Sequence, residues 1–204
     1  MIGSFFSVLK DIVLTLTAIT GAIVAVKGLS TWKRQINGQA EYNLSKNLLT
    51  NLFKYRDTIS NIRHPFMSSR EQTPPPDEER QKMTPEQIRH YGTFKAYDAR
   101  WNKLAEVRPQ IYANMIEAEA LWGDEITKLW EKMIDKENDL LIAIQDYLTF
   151  INPDIDFFDK EHLKPEHRNV RKIVFQGSRD DPFKPEFDSR LKELINYLKD
   201  RLKH

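Results

Sequence analysis

Apolar and polar positions divide this chain sharply near Lys27. Upstream, Ile12 to Val26 reads IVLTLTAITGAIVAV, fifteen residues without a charge, preceded by the mixed stretch IGSFFSVLKD. Downstream the chain is highly charged and its apolar residues recur at helical spacing. A membrane-spanning helix needs about 20 apolar residues to cross a hydrocarbon core about 30 Å thick. The uncharged run reaches that length if Phe5, Phe6, Val8 and Leu9 join it, or if Gly28 to Trp32 extend it. Lys10 and Lys27 then reach for the headgroups. Asp11 is too short to follow them and counts against the span.

The pattern predicts a single-pass signal anchor over residues 1–28. Three other readings compete with it. An interfacial helix needs a strong polar face, and Thr15, Thr17 and Thr20 make a poor one. A buried core helix is allowed by the shortness of the run. A cleaved secretory signal matches the length, but no A-x-A site follows and the stretch before Lys10 carries no charge. Lys27, Lys33 and Arg34 lie just after the segment and only Lys10 before it. The positive-inside rule then places the N-terminus outside and the body in the cytoplasm, at an inner membrane. Thr17, Gly21 and Ala25, with Ala18 and Ala22 alongside, have the spacing by which membrane helices approach closely. Ordinary membrane-helix composition is the simpler account of them.

In the body, apolar residues recur at Leu29, Trp32, Ile36, Ala40, Leu44, Leu48, Leu52, Tyr55, Ile59 and Ile62, nine steps over 33 residues. That is about 3.7 residues per step, the period of a straight amphipathic helix rather than the 3.5 of a coiled coil. Leu49 and Phe53 widen the stripe. Pro65 predicts an end near His64. A polar, proline-rich loop is expected over 65–83, centred on Pro74-Pro75-Pro76. Thr84, Pro85 and Gln87 then form the signature of a capping box, with Met83 and Ile88 placed as a hydrophobic staple. The following stripe runs through Tyr91, Phe94, Trp101, Leu104, Ile111, Tyr112, Met115 and Trp122, with Pro109 expected to kink or divide it. Past Gly123, Ile126 to Leu148 resumes the pattern, which stops at Asn152-Pro153. The tail from Pro153 to Pro185 lacks periodicity, and VRKIVFQ, Val170 to Gln176, reads as a short extended segment. A terminal amphipathic helix is expected from Pro185 to Leu202. The fold class is therefore all-α: an anchor (1–28), an elongated antiparallel helical bundle (29–152), and an irregular tail with a docking helix (153–204).

Composition narrows the function. With 31 basic and 30 acidic residues the net charge is +1, and a general nucleic-acid binder normally shows a basic excess. The chain has no cysteine, which fits a reducing compartment without requiring one. No P-loop, G-x-G-x-x-G or G-x-S-x-G occurs, and no catalytic residue or cofactor is assigned. Asp154, Asp156, Asp159, Glu161, His162, Glu166 and His167 fall within fourteen residues. Asp154, Asp156, His162 and His167 are candidate metal ligands by residue type, but their order matches no zinc or EF-hand pattern, so a solvated acidic loop is the default. His64, His90 and His204 are isolated. Arg56, Arg63, Arg100 and Arg108 lie on or beside the apolar stripes, as do Glu41, Asp57, Asp98 and Glu106. Partly buried Arg–carboxylate pairs that fix helix register are the simpler expectation. An anion pocket lined by these arginines and the Tyr97 and Trp101 rings is the sharper one.

The residues Gly28, Leu29, Trp32, Gly38, Glu41, Tyr42, Leu44, Leu48, Leu49, Tyr55, Arg56, Asp57, Ile59, Arg63, Pro65 and Phe66 form a pattern over about a fifth of the chain. It resembles small bacterial membrane-anchored helical proteins of unassigned function. Ser45 and Lys46 stand where that pattern has Ala and a base. The resemblance implies a bacterial or phage-related origin and a tethered helical architecture, and no catalytic residue.

The function expected is a membrane-tethered, non-enzymatic interaction or assembly protein. Its partners are the lipid bilayer, an unidentified protein and, through the small-residue face, a second copy; nucleic acid is excluded. The alternative is a membrane-perturbing effector of toxin or phage-defence type that self-associates through Thr17, Gly21 and Ala25. A metal-dependent enzyme built on 154–167 is the third.

Overall fold

The computed structural model describes residues 2–156, 168–177 and 180–202, with side chains from Leu14 onward. Helices account for the described structure, and no strand occurs among the described residues. In order they are α1 (Ile2–Ile62), α2 (Asp77–Arg80), α3 (Pro85–Trp122), α4 (Glu125–Ile151), α5 (168–174) and α6 (Phe183–Arg201). The chain divides into two compact units, residues 1–43 and 44–203.

The first unit is the N-terminal two thirds of α1. Every residue from Leu14 to Ala40 is exposed. The single stripe expected from Leu29 to Ile62 is therefore two. Leu29, Trp32 and Ile36 are uncovered, whereas Leu44, Leu48, Leu52, Tyr55, Ile59 and Ile62 are buried in the second unit. Periodicity reports that a helix has an apolar face; it does not report what packs on it.

The second unit is an all-α bundle. The buried face of α4 is Ile126, Trp130, Met133, Glu137, Leu140, Ala143 and Ile144, and α6 contributes Phe183, Phe187, Leu191, Leu194 and Leu198. Thr84 caps α3 as its sequence predicts. Its Oγ1 accepts from the Gln87 N–H at 3.2 Å, and the Gln87 side chain accepts from the Thr84 N–H at 2.8 Å. Gly123 ends α3 at φ 84°, a conformation costly for any residue with a Cβ, and its N–H closes on the Glu119 carbonyl at 2.9 Å. Pro109 lies inside α3 without dividing it.

Two further expectations are corrected, and the proline-rich loop is seen in more detail. The first half of α3 buries Gly92, Ala96, Tyr97 and Arg100, while Phe94 is exposed. The small residues matter because the loop lies over them: a Cβ on Gly92 would meet the Gln72 Cβ at 3.4 Å. The proline-rich loop is fastened to the bundle, with Pro75 buried between exposed Pro74 and Pro76, and it contains the short α2. The segment read as extended, Val170 to Gln176, is helical through residue 174. Its β-branched residues favour a strand, but Val174 is fully buried and Ile173 and Phe175 pack on the same core. Burial of that face overrides a propensity worth only tenths of a kcal/mol per residue.

Candidate functional site

Among the described residues two groups stand out: the uncovered segment of α1 and the arginine–carboxylate pairs of the bundle.

In the first, Leu14, Leu16, Ile19, Ile23, Val24 and Val26 are 52–68% exposed. An 18-residue window of α1 within Leu14–Ile62 reaches a mean hydropathy of 1.4 with none of its residues buried. The helix is thus long and apolar enough to cross a membrane. Its hydroxyls do not form a polar face in the way an interfacial helix needs. The Thr20 Oγ1 donates to the Leu16 carbonyl at 2.8 Å and the Ser30 Oγ to the Lys27 carbonyl at 2.9 Å, the internal bonding that lets such residues sit in lipid. Of the candidate packing residues, Thr17, Gly21 and Ala25 are all exposed, and nothing lies within 4 Å of a Cβ built on Gly21.

In the second group, the arginines do separate jobs. Arg100 is buried, and its guanidinium donates to the carbonyls of Ile62 (3.3 Å), His64 (2.7 Å) and Phe66 (2.6 Å) and to the Glu71 carboxylate (2.8 Å). It therefore caps the C-terminal end of α1, where unsatisfied carbonyls concentrate partial negative charge, and ties the loop to α3. The Arg100 hydrogen bonds hold the Glu71 carboxyl well below its usual range, at about 2. Arg63 does the same for α5. It donates to the carbonyls of Ile173 (2.7 Å) and Lys172 (3.2 Å) and pairs with Asp181 at 2.8 Å. Asp181 in turn accepts from the N–H groups of Phe183 and Lys184 at 3.0 and 3.1 Å, capping the first turn of α6.

Arg108 stands beside the Trp101 ring, 5.8 Å from its centroid, and pairs with Glu137. Glu137 is fully buried and also accepts from the Tyr55 hydroxyl at 3.0 Å. Glu137 was not among the acids marked in the sequence, although its spacing from Met133 and Leu140, four and three residues, puts it on the buried seam of α4. An acid at a seam position was the available signal. Of the acids that were marked, Asp57 pairs with Arg56 on the surface, while Asp98 and Glu106 are exposed.

Arg56 and Arg63 share a cleft of about 420 Å³ that is also lined by Lys184 and Asp188. Each of its cations already has a carboxylate: Asp57, Asp181 and Asp188. Arg100 and Arg108 are engaged with other partners, and the Tyr97 ring meets Tyr147 edge-on at 6.2 Å. Arg63, Arg100 and Arg108 are fixed at helix ends and between helices, and Arg56 pairs with its neighbour Asp57 on the surface of α1. Of the candidate metal ligands, Asp154 accepts from the Gln87 side chain at 2.8 Å and Asp156 is exposed. His162 and His167 lie outside the described residues, as do Asp159, Glu161 and Glu166. Among the described residues no three His, Cys, Asp or Glu side chains converge as a metal site would require.

No protein-family model matches the chain, and comparison with curated proteins and with solved structures finds no match.

Proposed function

We propose that this chain is a membrane-tethered helical interaction protein. Its N-terminal helix crosses the inner membrane of a bacterium, and its bundle is held at the cytoplasmic face. The observation that supports this is the uncovered apolar segment Leu14–Val26. Six large aliphatic side chains there are more than half exposed. At about 1.5–3 kcal/mol for each side chain removed from water, their transfer into lipid is favourable by on the order of 10 kcal/mol. A soluble protein of this size does not leave such a surface open. Lys27, Lys33 and Arg34 after the segment support this orientation by the positive-inside rule.

The body supports a role in binding rather than catalysis. Its buried arginines are spent on helix C-termini, where they stiffen the fold, and the cations of the cleft at Arg56 and Arg63 are already paired. The resemblance of Gly28–Phe66 to bacterial anchored proteins supports the bacterial setting. The experiment is fractionation of lysed cells by high-speed centrifugation. The chain is expected in the pellet after carbonate washing and in the supernatant only after detergent. Recovery in the supernatant without detergent overturns the proposal.

A further inference from the structure

The uncovered part of α1 carries a seam that the body stripe conceals. Ala18, Ala22, Ala25, Leu29, Trp32, Ile36, Gln39 and Asn43 follow one another in alternating steps of four and three residues. That is an uninterrupted heptad, with Ala22, Leu29, Ile36 and Asn43 at its a positions and Ala18, Ala25, Trp32 and Gln39 at d. All eight are exposed.

Three features of the seam fit a parallel second copy of the same helix. First, the side chains change with the solvent. The seam is alanine inside the uncharged run, where helices associate by close backbone approach. It becomes Leu, Trp and Ile beyond Lys27, where burial from water drives association. Gly21 and Gly28 flank it at successive g positions, and nothing lies within 4 Å of a Cβ built on either. Second, the charges avoid it. Lys27, Arg34 and Glu41 all fall at f, the position farthest from a partner, and Lys33 at e faces only Gly28 of a parallel copy. A copy thus brings no like charges together. Third, the seam ends in polar residues, with Gln39 donating to Asn43 at 3.1 Å. An Asn at an a position favours two parallel strands in one register over other arrangements.

We infer that this seam, Ala18 to Asn43, is a homodimer interface, a parallel two-stranded coiled coil that begins inside the bilayer and continues into water. The inference rests on the tether proposed above in one respect: a common anchor makes copies parallel. It also keeps Ala25 but moves the contact from Thr17 and Gly21 to a neighbouring face that extends past the membrane.

The chain has no cysteine, so introduced thiols report the contact without background. Full-length Leu29→Cys, Ile36→Cys, Arg34→Cys and Glu41→Cys are oxidised in native membranes. Paired a positions lie within the reach of a disulfide, and f positions lie beyond its limit of about 7 Å between Cα atoms. The expected result is conversion of Leu29→Cys and Ile36→Cys to a band of twice the mass. Arg34→Cys and Glu41→Cys should stay monomeric. Adding Ile36→Lys to Leu29→Cys should abolish the band, and adding Arg34→Ala should not. Equal cross-linking at all four positions, or none at any, overturns the inference. So does quenching of Trp32 fluorescence by brominated lipid without cross-linking at Ile36, which would assign the stripe to headgroups. Cross-linking at the seam in protein recovered from the supernatant would retain the interface and remove the tether.

Discussion

The Tyr55 hydroxyl donates to the Glu137 carboxylate at 3.0 Å, joining α1 to α4 across 82 residues of chain. The same Tyr55 ring meets Trp130 edge-on at 5.2 Å and stacks on Phe187 of α6 at 6.2 Å. One residue of α1 therefore touches both neighbouring helices, and the acid it contacts is closed from the other side by Arg108 of α3. Burial pushes the Tyr55 hydroxyl above its ordinary range, so it stays protonated and remains a donor. Three helices meet at one buried carboxylate, and α6 joins them through the Tyr55 ring.

Removing one member of that cluster should cost more than removing several. Tyr55→Phe leaves a Glu137 oxygen buried without its donor, at about 1–3 kcal/mol. Arg108→Leu leaves a buried charge unpaired, at about 3–5 kcal/mol. The double variant Arg108→Leu/Glu137→Leu should recover most of that loss, because no charge is then left alone. Urea unfolding of the detergent-solubilised protein followed by circular dichroism measures all three. A double variant no more stable than Arg108→Leu would show that the pair is not coupled.

Arg100→Met should destabilise the bundle by about 3–5 kcal/mol, since it strands Glu71 and uncaps the carbonyls of Ile62, His64 and Phe66 together. Arg100→Lys should restore little, because an ammonium cannot reproduce the planar fork that reaches several acceptors. Amide exchange in residues 63–72 should accelerate in both variants before global unfolding.

Glu71 gives the fold a specific acid sensitivity. Its carboxyl is depressed to about 2 from an ordinary value near 4.5. A depressed carboxylate contributes stability that is fully present above the unfolded value and lost as pH falls through the folded one. Between about pH 4.5 and 2 the melting temperature should drop, and Glu71→Gln should flatten that part of the profile while lowering stability at neutral pH. An unchanged profile in Glu71→Gln would remove Glu71 as the cause.

Gly123→Ala should shorten the life of the α3–α4 junction. Its φ of 84° with ψ of −176°, a region essentially confined to glycine, is penalised by a Cβ at about 1–3 kcal/mol, with no neighbour in contact to confuse the reading. Gly92→Ala tests the opposite case. It gains about 1 kcal/mol of helix propensity but meets Gln72 at 3.4 Å, so its net effect on the melt should be small, and Gly92→Leu should release the loop.

Residues near one another in sequence carried their own geometry. The capping box at Thr84, the break at Gly123, the stop after Ile62 and the all-helical class are consequences of hydrogen bonds and dihedral preferences within a few positions, and each was legible there. The uncharged run at Ile12–Val26 likewise needs only composition to be recognised as apolar enough for lipid, with its flanking residues completing the length of a span. What lay out of reach were the choices made between distant segments. Nothing local shows that the apolar face of α1 is covered from Leu44 onward and bare before it. Nor does it show that Arg63, just past α1, closes α5 while Arg100 of α3 closes α1, or that Val170–Val174 coils into a helix. Those outcomes depend on which surfaces leave water together, and a burial energy summed over many contacts outweighs the small preferences that single residues carry into the fold. Glu137 stands between the two cases. Its spacing put it on a buried face, but only packing supplied the Tyr55 hydroxyl and the Arg108 guanidinium that make a carboxylate tolerable there.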